Sequence, residues 1–198
     1  MVIERLNLGE KIIKKGELER FRVIFENLYS SGEGLHSGLH AARVLVLASK
    51  LGLLEGLDSL GEVQLAAVIH DSQRKNDGYD WFHGKRASRW VRENLSGQML
   101  DINLKEVEDL CLWHVIPDKL TPRDLVMWKK MRVFEDADAL DRYRNGDLNL
   151  RFLRTENALL MVNLAREFIK VSEEKVASGI NYFDAVMDAG VEIGLMIQ

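Results

Sequence analysis

Two prolines in 198 residues leave this chain nearly free of helix breakers, and both, Pro117 and Pro122, fall in one short stretch. Proline removes a backbone donor and clashes with the preceding turn, so long uninterrupted helices are permitted on either side of that stretch. Apolar residues recur at helical spacing along most of the sequence. From Leu18, the positions Phe21, Val23, Ile24, Phe25 and Leu28 suit one amphipathic helix. Further helices are expected over His36 to Leu54, Leu60 to Asp71, Phe82 to Leu95 and Leu104 to Trp113. The longest is expected over Arg123 to Arg144, started by Thr121-Pro122 as a cap with proline at the first helical position. Two more fit Thr155 to Lys175 and Tyr182 to Met196. No period-two run is long enough to predict a strand. The expected fold is all-α, a multi-helix bundle of roughly seven to nine helices in one domain spanning residues 1–198.

Charge and cysteine usage narrow the partners. Lys and Arg total 27 against 31 Asp and Glu, a net charge of −4 that does not favour bulk nucleic-acid binding. One cysteine cannot form an internal disulfide and fits a reducing compartment. No apolar run reaches the ~18 residues of a membrane span. The opening MVIERLNLGEKIIKK lacks the apolar stretch of a secretory signal. A cytoplasmic protein without a membrane partner is expected, and a homo-oligomer is left open.

Several polar residues occupy faces that should be apolar. His70 follows Val63, Ala66 and Ala67 at helical spacing, and Asp71 follows Ala67 and Val68. His40 shares its face with Val44 and Leu47, His83 with Ala87 and Trp90, and His114 with Val107, Leu110 and Cys111. Asp138 follows Met127, Met131 and Phe134. A buried carboxylate is costly unless paired or metal-bound. Any one of these residues could be a satisfied core group; six from five helices point to a shared cation. Imidazole and carboxylate suit Mn, Fe, Co, Ni or Zn, with Mg also compatible. Adjacent helical residues diverge by about 100°. His70 and Asp71 therefore reach one ion only off the helix flank, where the second aspartate oxygen can meet another ion. Cys111 is expected to pack, as are Trp128, Met131 and Phe134. Arg43 is expected to pair with a carboxylate, and His36 to sit at a helix start.

At these residues the sequence resembles the HD-domain metal-dependent phosphohydrolase superfamily. That pattern is a histidine, here in His40-Ala-Ala-Arg43-Val44, then His70-Asp71, then a distant aspartate in Asp136-Ala-Asp138-Ala-Leu140-Asp141. The distant aspartate aligns with Asp138, and Asp136 competes for the position. The resemblance covers residues 35–145, leaving 1–34 and 146–198 as flanking helices. Some members hold two metals through added histidines, and His83 and His114 fall in the corresponding interval. The implied ligand set is His40, His70, Asp71, His83, His114 and Asp138, for one or two divalent ions per chain. His83 and His114 could instead contact substrate. The chain departs from many two-metal members in carrying Arg74 where they have lysine or histidine, and it lacks the G-Y-P signature of cyclic-dinucleotide phosphodiesterases.

The resemblance implies hydrolysis of a phosphate mono- or diester, on a small metabolite or a nucleotide, by a metal-activated water. Asp71, Arg74 and Asp141 are the expected catalytic residues, with Asp141 holding a histidine or pairing with Arg144. Arg74, Lys85, Arg86 and Arg142 are expected to bind the phosphate. Trp81 or Phe82, in a turn beside the site, could stack on a nucleobase. Two other functions fit the same ligands: a di-iron oxygenase, and a non-catalytic metal-stabilised sensor or interaction protein.

Overall fold

Helix α3, Gly38–Leu54, runs through the centre of the molecule, and every residue from His40 to Gly52 is buried. A helix covered on all sides needs neighbours all round. They are α2 (Arg22–Tyr29), α4 (Gly61–Ile69), α7 (Leu125–Asp141), α8 (Glu156–Ala177) and α9 (Tyr182–Glu192). Helices α5 (His83–Asn94) and α6 (Leu104–Trp113) pack closely on each other, and α6 also lies on α4 and α7. A short α1, Lys15–Glu19, precedes α2. The structure is a computed structural model and describes residues 12–29, 38–99, 101–121, 123 and 125–198. The fold is all-α, as the periodicity predicts, and no helix among the described residues is long and apolar enough to cross a membrane.

Local chemistry fixes the helix starts. Asn103, Thr155 and Asn181 accept backbone N–H bonds from Glu106, Ala158 and Asp184, the capping role these residue types favour. The last helices are integral: α8 and α9 both pack on α3, and Arg43 Nη1 on α3 donates to Ser172 Oγ on α8 at 3.4 Å.

The structure departs from the sequence expectations in three places. The first expected helix is divided near Arg20 and Phe21 into α1 and α2. Thr121 is extended and follows a 3-10 turn over Asp118–Leu120, while α7 begins at Leu125; Pro122, the other half of the expected cap, lies outside the described residues. A short parallel pair, β1 (Ile13–Lys14) and β2 (Met196–Ile197), joins segments near the two ends of the chain, so the last helix stops at Glu192 and Met196, expected to end it, lies in a strand. Two residues are too few to show alternation, so no strand signal was available.

The direction of three helices positions the site. Lys130 Nζ, early in α7, meets Glu62 in the first turn of α4 and Glu106 in the first turn of α6. Helices α4, α6 and α7 therefore run the same way from this charged end. Their opposite ends carry His70 and Asp71, His114, and Asp138.

Candidate metal centre

His70 is the C-cap of α4 and His114 the C-cap of α6. Carbonyls in the last turn of a helix lack intrahelical partners. His70 Nδ1 bonds the Ala67 carbonyl at 2.9 Å, and His114 Nδ1 bonds the Cys111 carbonyl at 2.7 Å. His83, the first residue of α5, places Nδ1 2.5 Å from the Asp80 carbonyl. His40 Nδ1, on α3, lies 2.7 Å from Asp141 Oδ2. A carbonyl only accepts, so Nδ1 of His70, His83 and His114 carries the proton and Nε2 presents a lone pair. The Asp141 carboxylate orients His40 in the same sense.

The four Nε2 atoms point at one another. His40 Nε2 is 3.2 Å from His70 Nε2, and His83 Nε2 is 2.9 Å from His114 Nε2. Asp138 Oδ1 lies 3.2 Å from His40 Nε2 and 3.8 Å from His70 Nε2. Asp71 stands between the two histidine pairs with one oxygen toward each. Its Oδ2 is 3.7 Å from His40 Nε2 and 3.8 Å from His70 Nε2; its Oδ1 is 3.0 Å from His83 Nε2 and 3.8 Å from His114 Nε2. Two groups could each hold a metal ion: His40, His70 and Asp138, and Asp71, His83 and His114, with ligating atoms inside each group within 4.8 Å of one another. Lone pairs facing lone pairs repel; a proton on His40 relieves part of that repulsion, and a shared cation could relieve the rest. The donor set, imidazole nitrogen with carboxylate oxygen, fits a divalent transition metal.

The electrostatics agree with competition between protons and cations for these atoms. Burial works against charge on His40, but Asp138 and Asp141 outweigh it and raise its pKa to about 9. At His70 burial prevails and lowers the pKa to about 4. Burial also opposes ionisation of Asp138, yet His40 holds it well below the usual carboxylate range.

The competing aspartates of α7 separate cleanly. Asp136 is wholly buried and accepts from the backbone N–H groups of Arg154 and Thr155 and from the Thr155 hydroxyl, each at 2.8 Å. It anchors the start of α8. Asp138, whose side chain keeps 37% exposure, faces the histidines. The E-D-A-D sequence holds both roles side by side, and only Thr155, a cap far along the chain, distinguishes them.

A cavity of about 570 Å³ opens on the cluster, lined by Asp71, His83, His114 and Asp138 together with Arg74, Arg142 and Arg144. Arg74 Nη1 is 3.5 Å from Asp71 Oδ1, and Nη2 donates to the Gly78 carbonyl at 2.8 Å. Exposed Arg142 pairs with Asp147. Lys85 is exposed and does not line this cavity. Arg86 is committed to Asp80 and the Gln73 carbonyl. Lys85 is thus not brought to the cavity, and Arg86, one turn after His83 on the same face of α5, is held by these bonds to the neighbouring loop. Asp141 lies behind the cavity, fully buried, bonded to His40, Arg43 and Arg144. It orients His40 and does not line the cavity. Arg43 pairs with a carboxylate as expected, Cys111 packs with its thiol pKa pushed up by burial, and His36 lies outside the described residues.

Four residues take part in ways the sequence does not announce, Phe134 among them although its packing is expected. A Cβ on Gly84 would stand 2.5 Å from the Cys111 carbonyl, so glycine is what lets α5 approach α6 and bring His83 to His114. Phe134 meets the rings of His70 and His114 edge-on, with centroids at 5.3 and 5.9 Å. Asp147 and Asn145 line the cavity from the turn after α7. No protein-family model matches the sequence, and no curated protein or solved structure matches it either.

Proposed function

We propose that this chain is a metal-dependent phosphohydrolase of the HD type, acting on a small phosphate ester. The observation that carries this reading is the division of Asp71 between the two histidine pairs, one carboxylate oxygen toward each. His40, His70, Asp71 and Asp138 would hold one ion, and Asp71, His83 and His114 a second. Divalent ions there would supply Lewis acidity toward a phosphoryl oxygen and lower the pKa of a water toward neutrality.

The chain's own residues prepare the site for this. The Nδ1 bonds fix each imidazole with Nε2 inward, so no ring needs to reorient. Asp141 holds His40 and is itself balanced by Arg43 and Arg144. Arg74 sits beside Asp71 and offers a guanidinium to an incoming phosphate oxygen, since planar forks suit that geometry. Arg142 can exchange its exposed partner Asp147 for substrate. The open cavity favours catalysis over a purely structural metal, because catalytic centres keep access for substrate.

The test is metal analysis of the purified chain, then a panel of phosphate mono- and diesters with Mn, Co, Ni, Mg or Fe(II). Metal-dependent phosphate release that disappears in Asp71→Ala is the expected result. Bound metal with no turnover on any ester, or oxygen consumption by redox-active iron, would replace this reading with the sensor or the oxygenase.

A further inference from the structure

From the aromatic rim of the cavity, we infer that the substrate carries a planar aromatic ring that stacks on a ledge made by Tyr79 and Trp81. This inference rests on the phosphohydrolase reading and names the class of ester the site would take. Tyr79 is 90% exposed and Trp81 65% exposed, unusual for large aromatic side chains. Their rings stack on each other with centroids 5.5 Å apart and planes 22° apart, and both line the cavity that reaches Asp71, His83 and His114.

The loop beneath them is pinned. Asp80 accepts from the Lys75 backbone N–H at 3.0 Å and pairs with Arg86; Asn76 accepts from the Gly78 N–H at 2.9 Å; Arg74 donates to the Gly78 carbonyl. The Asp80 carbonyl in turn orients His83. The ledge is therefore held at a fixed place relative to the proposed metal ligands, which reduces the ordering cost of binding. A stacked, exposed aromatic pair on the wall of a cavity suits a further flat ring. Arg74 and Arg142, given to the phosphate above, would meet a group that all phosphate esters share, and Arg144 is engaged by Asp141. Discrimination between phosphate esters then falls to the rim.

The experiment is surface plasmon resonance on the immobilised full chain with adenosine 5′-monophosphate, ribose 5-phosphate, phenyl phosphate and adenosine as probes. Wild type should bind the nucleotide about tenfold more tightly than the sugar phosphate, a typical gain from one base–aromatic stack. Trp81→Ala should remove that preference while its metal content stays unchanged. Preference extending to phenyl phosphate identifies general aryl recognition; preference confined to the nucleotide identifies a purine-sized ring. Either supports the ledge. Equal binding of nucleotide and sugar phosphate by wild type, no binding of any probe, or a preference surviving in the Tyr79→Ala/Trp81→Ala double variant, would overturn it. If adenosine binds as well as its monophosphate and Trp81→Ala weakens both, the ledge stands and the phosphohydrolase reading fails.

Discussion

Helices α4, α6 and α7 carry a buried polar cluster at each end, and the two are built on opposite principles. At the starting end, Lys130 bonds Glu62 at 2.9 Å and Glu106 at 2.5 Å, while Glu62 also accepts from Ser59 Oγ and the Asn103 N–H. Donors face acceptors there, and both glutamates lie in first helical turns, where the helix dipole favours negative charge. At the far end acceptors crowd together: the Nε2 atoms of His70, His83 and His114 and the oxygens of Asp71 and Asp138, with a proton on His40 the one positive charge the cluster itself supplies. Two of these histidines cap helix C-termini, where the dipole favours a cation. One cluster is complete in protein atoms. The other is a set of groups that could hold a metal ion. A stability role and a binding role can thus be distinguished by donor–acceptor balance, even when burial and residue types are similar.

The variant with the largest expected effect removes the group shared by both halves of the histidine cluster. Asp71→Ala should abolish phosphate release and lower metal content, with the helical circular-dichroism signal retained, because apolar packing holds the bundle. Full activity in this variant would remove the contrast between the two ends.

Asp141→Asn tests positioning without touching the cavity. Loss of an outer partner of a ligand histidine typically costs ~10–100-fold in metal affinity. Titration should show that loss at the His40 group and leave the His83 group unchanged. Arg43 also loses a buried counter-charge, so thermal unfolding measured alongside should show a lower Tm.

Gly84→Ala should act on the other half. The added methyl collides with the Cys111 carbonyl and forces α5 off α6, a strain of ~1–3 kcal/mol for overpacking. Denaturant unfolding gives the stability cost, and metal analysis should show the ion at His83 and His114 weakened first.

The smallest effect belongs to the balanced end. Burial opposes charge on Glu62, but Ser59, the Asn103 N–H and Lys130 lower its pKa from 4.5 to about 2. A depressed carboxylate contributes stability above its unfolded value and loses it as pH falls through the folded value. Glu62→Gln should therefore flatten the stability curve between about pH 4.5 and about 2 and leave metal content unchanged. A change in metal content would show that the two ends are not independent.

Much of this architecture was legible because burial imposes period. The stripe containing Val63, Ala66 and Ala67 predicts α4, and the same stripe makes His70 conspicuous as a polar intruder. Leu104 to Trp113 appears in the structure with those bounds. The contacts that finish the centre were not legible, because they join distant segments through backbone atoms or through missing ones. The carbonyls of Ala67, Asp80 and Cys111 carry no side-chain signal, and Gly84 acts by having no Cβ. Lys85 and Arg86 follow His83 in sequence, which made them plausible phosphate ligands; helical rotation carries Lys85 away from it, and Arg86, back on the same face, is taken up by Asp80 and the Gln73 carbonyl, partners from a loop the sequence does not place. Asp136 and Asp138 differ by two helical positions, a turn of about 200°, so one anchors α8 and the other faces the histidines.

The central claim is that Asp71 divides a centre for two ions, and counting bound metal tests it most directly. After loading with Mn(II) and removal of free ion, elemental analysis should find two ions per wild-type chain, one in His83→Ala, and none or one loosely held in Asp71→Ala. A wild-type chain that retains no ion, or a metal content unchanged in both His40→Ala and His83→Ala, would contradict it.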